Sequence, residues 1–481
     1  MASTADELRQ QFSWPSDILS LLLLIGGDIV QTAIAQQTGF TIRVPGSKIF
    51  VPVAPVCFSF GWVAYGFSSL LAAVGEMRLM PKNEISSVLV NCSNGFAREV
   101  QSWALGRLLR DHEIRCRHEF SPDDGAPHTS IRIDIFEVGP VSRPDLDFVW
   151  WLGWATLLVQ LGIAIIPLAL YNDWGVLLVA LGGNVLVALT CASPQWNEEK
   201  WAGRRLEKEK VTCLTRGNGH SHVMVFISSK GSWDLESLAT GIAASQRVGI
   251  RWITVILAML WSLLLISVSG LKERTWFMIG IGAIGMLQNI YAAGTTRQPE
   301  TSDFHLTPFA RAQIIVGRRG PFVDETDANV DLEEDCQNLS DLSAWVSNNA
   351  AQEKQNTATS HPMPKWLASM SKVDGLPSWL EPIKPISIER AQTLSKWKKP
   401  SVASTRAPEM IYAIGVHGAL IELEKWVPTA GLSLVNIFFP GGLEYSEQNT
   451  RNNIHKKFWK RAYHTLDLRK KAEEKRRSPE L

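Results

Sequence analysis

FVWWLGWATLLVQLGIAIIPLAL (residues 148–170), YND (171–173) and WGVLLVALGGNVLVALTCA (174–192) form the stretch whose reading decides the fold. A helix crossing a bilayer core needs about 20 apolar residues, because each residue rises only about 1.5 Å. Both segments come to that length without a charge, and the short polar link makes them a hairpin of two spans. Four more segments approach the same length: 18–35, 50–74, 252–270 and 276–293. For any one of them the alternative is a buried helix of a large soluble protein. Against that stand Trp14, Trp150, Trp151, Trp174, Trp252 and Trp276, which sit at or near segment ends, where the indole favours the headgroup level. The pattern predicts an α-helical polytopic membrane protein with about six transmembrane helices.

The net charge of +1 would suit a soluble protein, but apolar residues are gathered into blocks and charges lie between them. Such a balance carries no footprint for nucleic acid; the partner it implies is the lipid bilayer. Loops after the first, third and fifth spans carry only Arg43, Lys48, Lys272 and Arg274. Those after the second and fourth hold many more cations, among them Arg78, Arg107, Arg110 and Lys200. The positive-inside rule then places both termini and both long loops in the cytosol of an unspecified plasma membrane or endomembrane. The N-terminal residues show no basic region with a cleavage site, so the first span reads as a signal anchor. Six cysteines without a CxxC pair read as free thiols on the reducing side, and the sequons at Asn91 and Asn338 as unused.

The chain divides as follows: N-terminus 1–17, first two spans 18–75, a cytosolic β-α-β loop 76–147 and the hairpin 148–192. A second cytosolic loop, 193–250, precedes the last two spans, 251–293. A connector 294–320, a disordered linker 321–402 and a C-terminal helical segment 403–481 follow. Within the first loop, 86–91 reads as a strand, 96–111 as an amphipathic helix and 128–138 as a half-buried strand alternating Ile131, Ile133 and Ile135 with Arg132 and Asp134. In the second, a helix over 196–210 leads into strands 210–215 and 220–228 joined through Arg216-Gly217-Asn218-Gly219, a hairpin signal. Asp234 then caps a short helix. Two strands alone are marginal, so the two loops should combine into one small cytosolic α+β domain.

Asp28, Gln31 and Thr32 share one face of the first span, and Gln160 and Asn184 lie at comparable depth in the third and fourth. An intramembrane carboxylate is costly, so these groups should face the bundle interior, with the amides hydrogen-bonding Asp28. They form either a polar path for a proton or solute, or packing between helices. Pro52 and Pro55 should start or kink the second span. On the hairpin, Cys213, His220 and His222 share a face in either plausible two-residue register, and with Gly217-Asn218 as the loop Cys213 lies opposite His222. A fourth donor from Cys116 or His118 would complete a zinc site, but the spacing matches no metal motif and no cofactor is expected. Gly280-Ile-Gly-Ala-Ile-Gly285 is a formal GxGxxG inside an apolar helix, where close packing explains it better than a dinucleotide. The range 409–426 reads as a helix. At the end of the chain Lys456, Lys457, Lys460, Arg461, Lys470 and Lys471 flank an apolar stripe, a basic amphipathic helix able to lie on anionic lipid or simply to be solvated.

Several motifs together carry a resemblance: Pro194-Gln-Trp196 with Glu199-Lys-Trp201 and Arg204-Arg205, Leu214-Thr-Arg-Gly-Asn-Gly219, Ile284-Gly-Met-Leu-Gln-Asn289 and Phe438-Phe-Pro-Gly441. With Gln160, Ile166-Pro167, Asp173-Trp-Gly175, Asp234-Leu-Glu236 and Leu423-Glu424 they span most of the chain outside 321–402. In these the chain resembles a family of integral membrane proteins of filamentous fungi with no assigned activity. The resemblance transfers no catalytic residues.

No nucleophile–base set, paired-carboxylate motif or metal signature marks an enzyme. The expected function is a membrane scaffold or regulator whose cytosolic regions engage a protein partner through the tail. The alternative is a transporter or channel with its polar path around Asp28.

Overall fold

The computed structural model describes residues 25–43, 46, 50–75, 78–119, 129–241, 248–271, 274–309, 313–318, 410–427 and 429–440. The expected linker 321–402, the basic segment from Lys456 to Lys471, Trp14 and Asn338 lie outside them. The strands are β1 (Thr41–Arg43), β2 (Phe50–Pro52), β3 (Val88–Asn91), β4 (Ala97–Glu99), β5 (Thr129–Val138), β6 (Lys210–Thr215), β7 (His222–Ser228), β8 (Leu306–Pro308), β9 (Ile314–Arg318) and β10 (Met410–Ile414). β1 and β2 form a separate hairpin; the other strands make one mixed sheet in the order β10-β9-β5-β7-β6-β3-β4, with β8 also on β5.

β5 is the spine of that sheet. It runs parallel to β7, with Ile133 opposite Val223, and antiparallel to β9. The two loops therefore do combine, through the β5–β7 and β3–β6 pairings. The expected separation of the tail does not hold: residues after 294 supply β8, β9 and β10 to the same sheet. These strands are only three to five residues long. Their partners are distant in the chain, so no local alternation announces them. β4 likewise replaces the start of the expected helix 96–111, because Asn94 and the positive-φ Gly95 close a tight hairpin with β3.

Helices cover both faces. α3 (Trp103–Glu119) lays Leu105 and Leu109 on Leu214, Met224 and Phe226. On the other face α10 (Gly415–Trp426) and α11 (Ala430–Phe438) set Leu420, Leu423 and Leu434 against Ile133, Val223 and Val225. β5 is consequently buried on both faces rather than half-buried, Arg132 and Asp134 included.

The remaining helices, apart from the short α7 (Leu235–Ala239) beside β3, build an apolar bundle: α1 (Gly27–Gln37), α2 (Trp62–Val74), α4 (Phe148–Tyr171), α5 (Gly175–Cys191), α6 (Pro194–Lys200), α8 (Val248–Ser269) and α9 (Thr275–Gly294). α4, α8 and α9 are long and apolar enough to cross a membrane; α5 and α6, bent by 44°, make a fourth if counted as one span. The expected helix over 196–210 ends at Lys200.

The first two expected spans take a different form. α1 starts at Gly26 (φ +92°) inside the bundle, and its far end is held on the sheet side by Lys200, whose Nζ donates to the carbonyls of Ala35 and Thr38. The β1–β2 hairpin lies on that side too, where Phe40 packs edge-on to Trp150. From it residues 53–60 enter the bundle as extended chain, turn at Gly61 (φ +87°) and return as α2. The loop carrying Arg43 thus lies on the sheet side, not opposite it. Pro52 and Pro55 are the local cause, since each disfavours helix at itself and at the residue before it.

Glycines admit this extended chain. A Cβ on Gly153 of α4 would stand 1.9 Å from the Pro55 carbonyl oxygen, and one on Gly285 of α9 would stand 2.0 Å from that of Phe58. The close-packing reading of GxGxxG fits Gly282 and Gly285, whereas Gly280 faces open space. Gly285→Ala should therefore cost about 1–3 kcal/mol by overpacking. Gly280→Ala in the same helix should be neutral or gain up to about 1 kcal/mol of helix propensity. Melting curves of the two variants in detergent check the contrast.

Candidate functional site

The sheet domain and the bundle meet in a polar junction built from helix ends. The last carbonyls of any helix lack internal partners and carry partial negative charge, so cations gather there. Here the ends of α1 and α9 emerge side by side. Arg297, just past α9, donates from Nη1 to the Gln36 carbonyl of α1. Its Nε and Nη2 form a fork on Asp147, at 2.7 and 2.6 Å, and its backbone N–H reaches Asp111 at 3.0 Å. Arg107 of α3 donates from Nη2 to the carbonyls of Ala293 and Thr295, both at 2.8 Å, and pairs with Glu84 at 3.0 Å. Arg110 reaches the Gly294 carbonyl at 3.1 Å and Glu84 at 2.8 Å. Lys200 is 1% exposed, with its ammonium over the rings of Trp201 and Trp103. Asp147 closes the network as the N-cap of α4, accepting from the Trp150 N–H at 3.1 Å. Burial pushes the Asp111 carboxyl up to about 6, against the Arg297 N–H and the charges of Arg110 and Arg115.

The intramembrane candidates are dispersed by this architecture. Gln160 is fully buried and donates to the carbonyls of Phe58 (2.7 Å) and Ile281 (2.9 Å). Asn184 donates back to the Ala180 carbonyl and accepts from the Phe58 N–H at 3.4 Å. Gln31 donates to the Leu79 carbonyl at 2.6 Å. None of these amides bonds Asp28, which is exposed in a cleft of about 240 Å³ at the junction with Thr32, Glu84, Arg107, Arg110 and Ile290. The hydrogen bonds expected for Asp28 go instead to the extended segment, whose unpaired backbone needs them more. Asn289 joins the same task through the Cys57 carbonyl and the Ser59 hydroxyl; it was read from the sequence only as part of a family motif.

The hairpin candidates are separated too. Thr215 pairs with Val223, so Cys213 lies opposite Val225 and not opposite His222. Cys213 faces α11, its Sγ 3.3 Å from that of Cys92. His220 is exposed in the loop. His222 lies on the α3 face beside Cys116, the fourth donor considered above, and beside two residues overlooked in the sequence, His112 of α3 and Asp134 of β5. The signal was the four-residue spacing of His112 and Cys116, which puts both on one helix face. Burial alone would raise the Asp134 carboxyl; the hydrogen bond and charge of His112, with the guanidinium of Arg132, outweigh it and hold the group below its ordinary value. Burial also brings the His222 imidazole down to about 4, only partly opposed by Asp134.

Asn91 of the first sequon is buried, its amide bonded to Glu236 at 2.8 Å. Comparisons with family models, with curated proteins and with solved structures found no match for this chain. Its class is accordingly stated from the fold: a mixed α/β domain fixed by helix-end cations to an apolar bundle whose long helices can cross a membrane.

Arg297→Ala leaves Asp147 without its bidentate partner and the Gln36 carbonyl without its donor, while the backbone bond to Asp111 persists, and should destabilise the chain by about 3–5 kcal/mol; Arg297→Lys should recover only part, since the fork is lost. Thermal melting in detergent measures both. His222 gives a pH signature. A folded-state value below the ordinary ~6.5 means its contribution is complete above pH ~6.5 and is lost as pH falls toward 4. His222→Gln should flatten that part of a melting temperature–pH profile.

Proposed function

We propose that this chain is a multi-pass membrane protein, both termini cytosolic, that acts as a scaffold or regulator: the bundle anchors a cytosolic α/β platform that engages a protein partner. One observation carries the reading. The amides of Gln160, Asn184 and Asn289 are committed to holding residues 57–59, and the bundle's sheet-side carbonyls are committed to the junction cations Arg107 of the platform and Lys200 of α6. Polar groups in such a bundle serve rigidity and attachment more than passage.

The membrane part of the proposal is supported by the bundle surface. Leu158, Ile165, Leu178, Val185, Ile256 and Leu263 are exposed along it, an apolar area that water would penalise. Trp151 and Trp252 are exposed near its sheet-side end, and Trp174 and Trp276 near the other, as two interfacial belts. The sheet side carries the greater share of Lys and Arg, which orients it to the cytosol. The resemblance to integral membrane proteins of filamentous fungi agrees with this.

Transport is the second reading. α1 and α2 both begin within the bundle at closely apposed glycines: a Cβ on Gly61 would lie 2.6 Å from the Gly26 backbone. Half-length helices whose N-termini meet inside a bundle recur at the substrate sites of transporters.

Because β8, β9, β10, α10 and α11 are built into the domain, informative deletions are confined to 321–402 and 441–481. Affinity purification of the full chain in mild detergent should yield a stoichiometric partner that is lost from one of these two deletions. A full chain that retains no such partner, but supports a solute flux in proteoliposomes that Asp28→Asn abolishes, replaces the scaffold with the transporter.

A further inference from the structure

Three donors of different chemistry converge between α3 and the sheet. His112 and Cys116 are one turn apart on α3, and Asp134 turns toward them because it alternates with Ile133 and Ile135, which pack on the α10 side. His112 Nε2 lies 3.0 Å from Asp134 Oδ2 and 3.4 Å from Cys116 Sγ, and all three donor atoms fall within 4.8 Å of one another. All three side chains are buried. Phe136 stands edge-on to the His112 imidazole at 5.5 Å and fixes its plane.

The geometry does not suit nucleophilic catalysis. A relay needs the carboxylate on one ring nitrogen and the nucleophile on the other, whereas Asp134 and Cys116 both meet Nε2. It does suit an ion. Tetrahedral zinc, with bonds of about 2.0–2.3 Å, holds its ligand atoms roughly 3.3–3.8 Å apart, so this triangle closes with shifts of about an ångström. A nitrogen, a thiolate sulfur and a carboxylate oxygen form a borderline-soft set, which favours zinc over calcium or magnesium.

Two neighbours complete the arrangement. His222 stands opposite Arg132 in the β5–β7 register, on the α3 face, and its Nδ1 is buried with no hydrogen-bond partner. Arg132 grips Asp134 with Nε 3.0 Å from each carboxylate oxygen and Nη2 2.9 Å from Oδ1. A cation so close opposes a metal's charge. It also orients the carboxylate as an outer-sphere partner does, and a thiolate with a carboxylate brings two negative charges to offset a divalent ion.

We propose that His112, Cys116 and Asp134 bind one zinc ion that pins α3 to β5. His222 of β7 lies outside this triangle and closes on the ion as a fourth donor through its buried, unpartnered Nδ1; four protein ligands then make it a structural ion that holds together the face of the domain next to the junction. The proposal is independent of whether the chain is a scaffold or a transporter.

The test uses the full chain in detergent, stripped with a chelator, dialysed, and reloaded with zinc or with cobalt as a spectroscopic probe. One equivalent of zinc should survive dialysis and raise the melting temperature. Cobalt should give tetrahedral d–d bands with a thiolate charge-transfer band. That band should vanish in Cys116→Ser and persist in Cys213→Ser, whose thiol faces the other side of the sheet. His112→Asn and His222→Asn should weaken zinc binding at least tenfold, and Arg132→Gln by about 10–100-fold. If the ligand variants do not fold, the wild-type chain still decides: bound zinc should slow maleimide labelling of Cys116, mapped by peptide mass spectrometry. Loss of all zinc on dialysis, a charge-transfer band that survives Cys116→Ser, or labelling of Cys116 indifferent to zinc overturns the site.

Discussion

Extended backbone inside an apolar bundle is the constraint from which the rest follows. Residues 53–60 bring N–H and C=O groups into surroundings with no water to receive them, and each left unmet would cost several kcal/mol. The bundle answers with side-chain amides. Gln160, Asn184 and Asn289 come from three different helices and converge on residues 57–59, while Trp62 adds an indole donor to the Cys57 carbonyl. Glycines at 153, 183 and 285 let those helices come close enough for the amides to reach. Small residues and amides are thus two parts of one solution.

The junction answers a second form of the same problem. Two helices end where bundle and sheet meet, and their last carbonyls would be stranded under the domain. Four cations take them up, and the domain supplies the carboxylates that neutralise those cations: Glu84, Asp111 and Asp147. A bidentate arginine on a carboxylate resists small rotations as well as separation. The domain is therefore oriented on the bundle and not merely tethered to it. Lys200 fits this scheme because its ammonium has two carbonyl acceptors and aromatic faces in place of water.

The same economy distinguishes the α3 face of the sheet. There the charged groups Arg132, Asp134 and His112 are buried together, with Cys116 and His222 beside them, although the opposite face of the strand is filled by isoleucines. Polar groups gathered in a small domain core are expensive unless they serve one another or a ligand.

Much of this was legible in the residues. Apolar length alone identified α4, α5, α8 and α9, since a long helix that is apolar on every face shows in hydropathy whatever it packs against. Period-two alternation located β5, and the Gly-Asn-Gly turn located β6 and β7. Composition misled at 50–74, where apolar character was read as helix. The local signals that overrule it, Pro52, Pro55 and Gly61, act on backbone dihedrals and leave no trace in hydropathy. The tail misled for the opposite reason: β8, β9 and β10 are too short to show a period; β8 and β9 form on the edge of β5 that β7 leaves open, some 170 residues earlier, and β10 adds to β9. Residue types decided which groups would need partners. Only the tertiary structure decided which partners they found, because hydrogen bonds and ion pairs form between segments that are near in space and distant in the chain. For that reason Gln160 meets Phe58 rather than Asp28, and His222 stands with His112 and Asp134 rather than with Cys213.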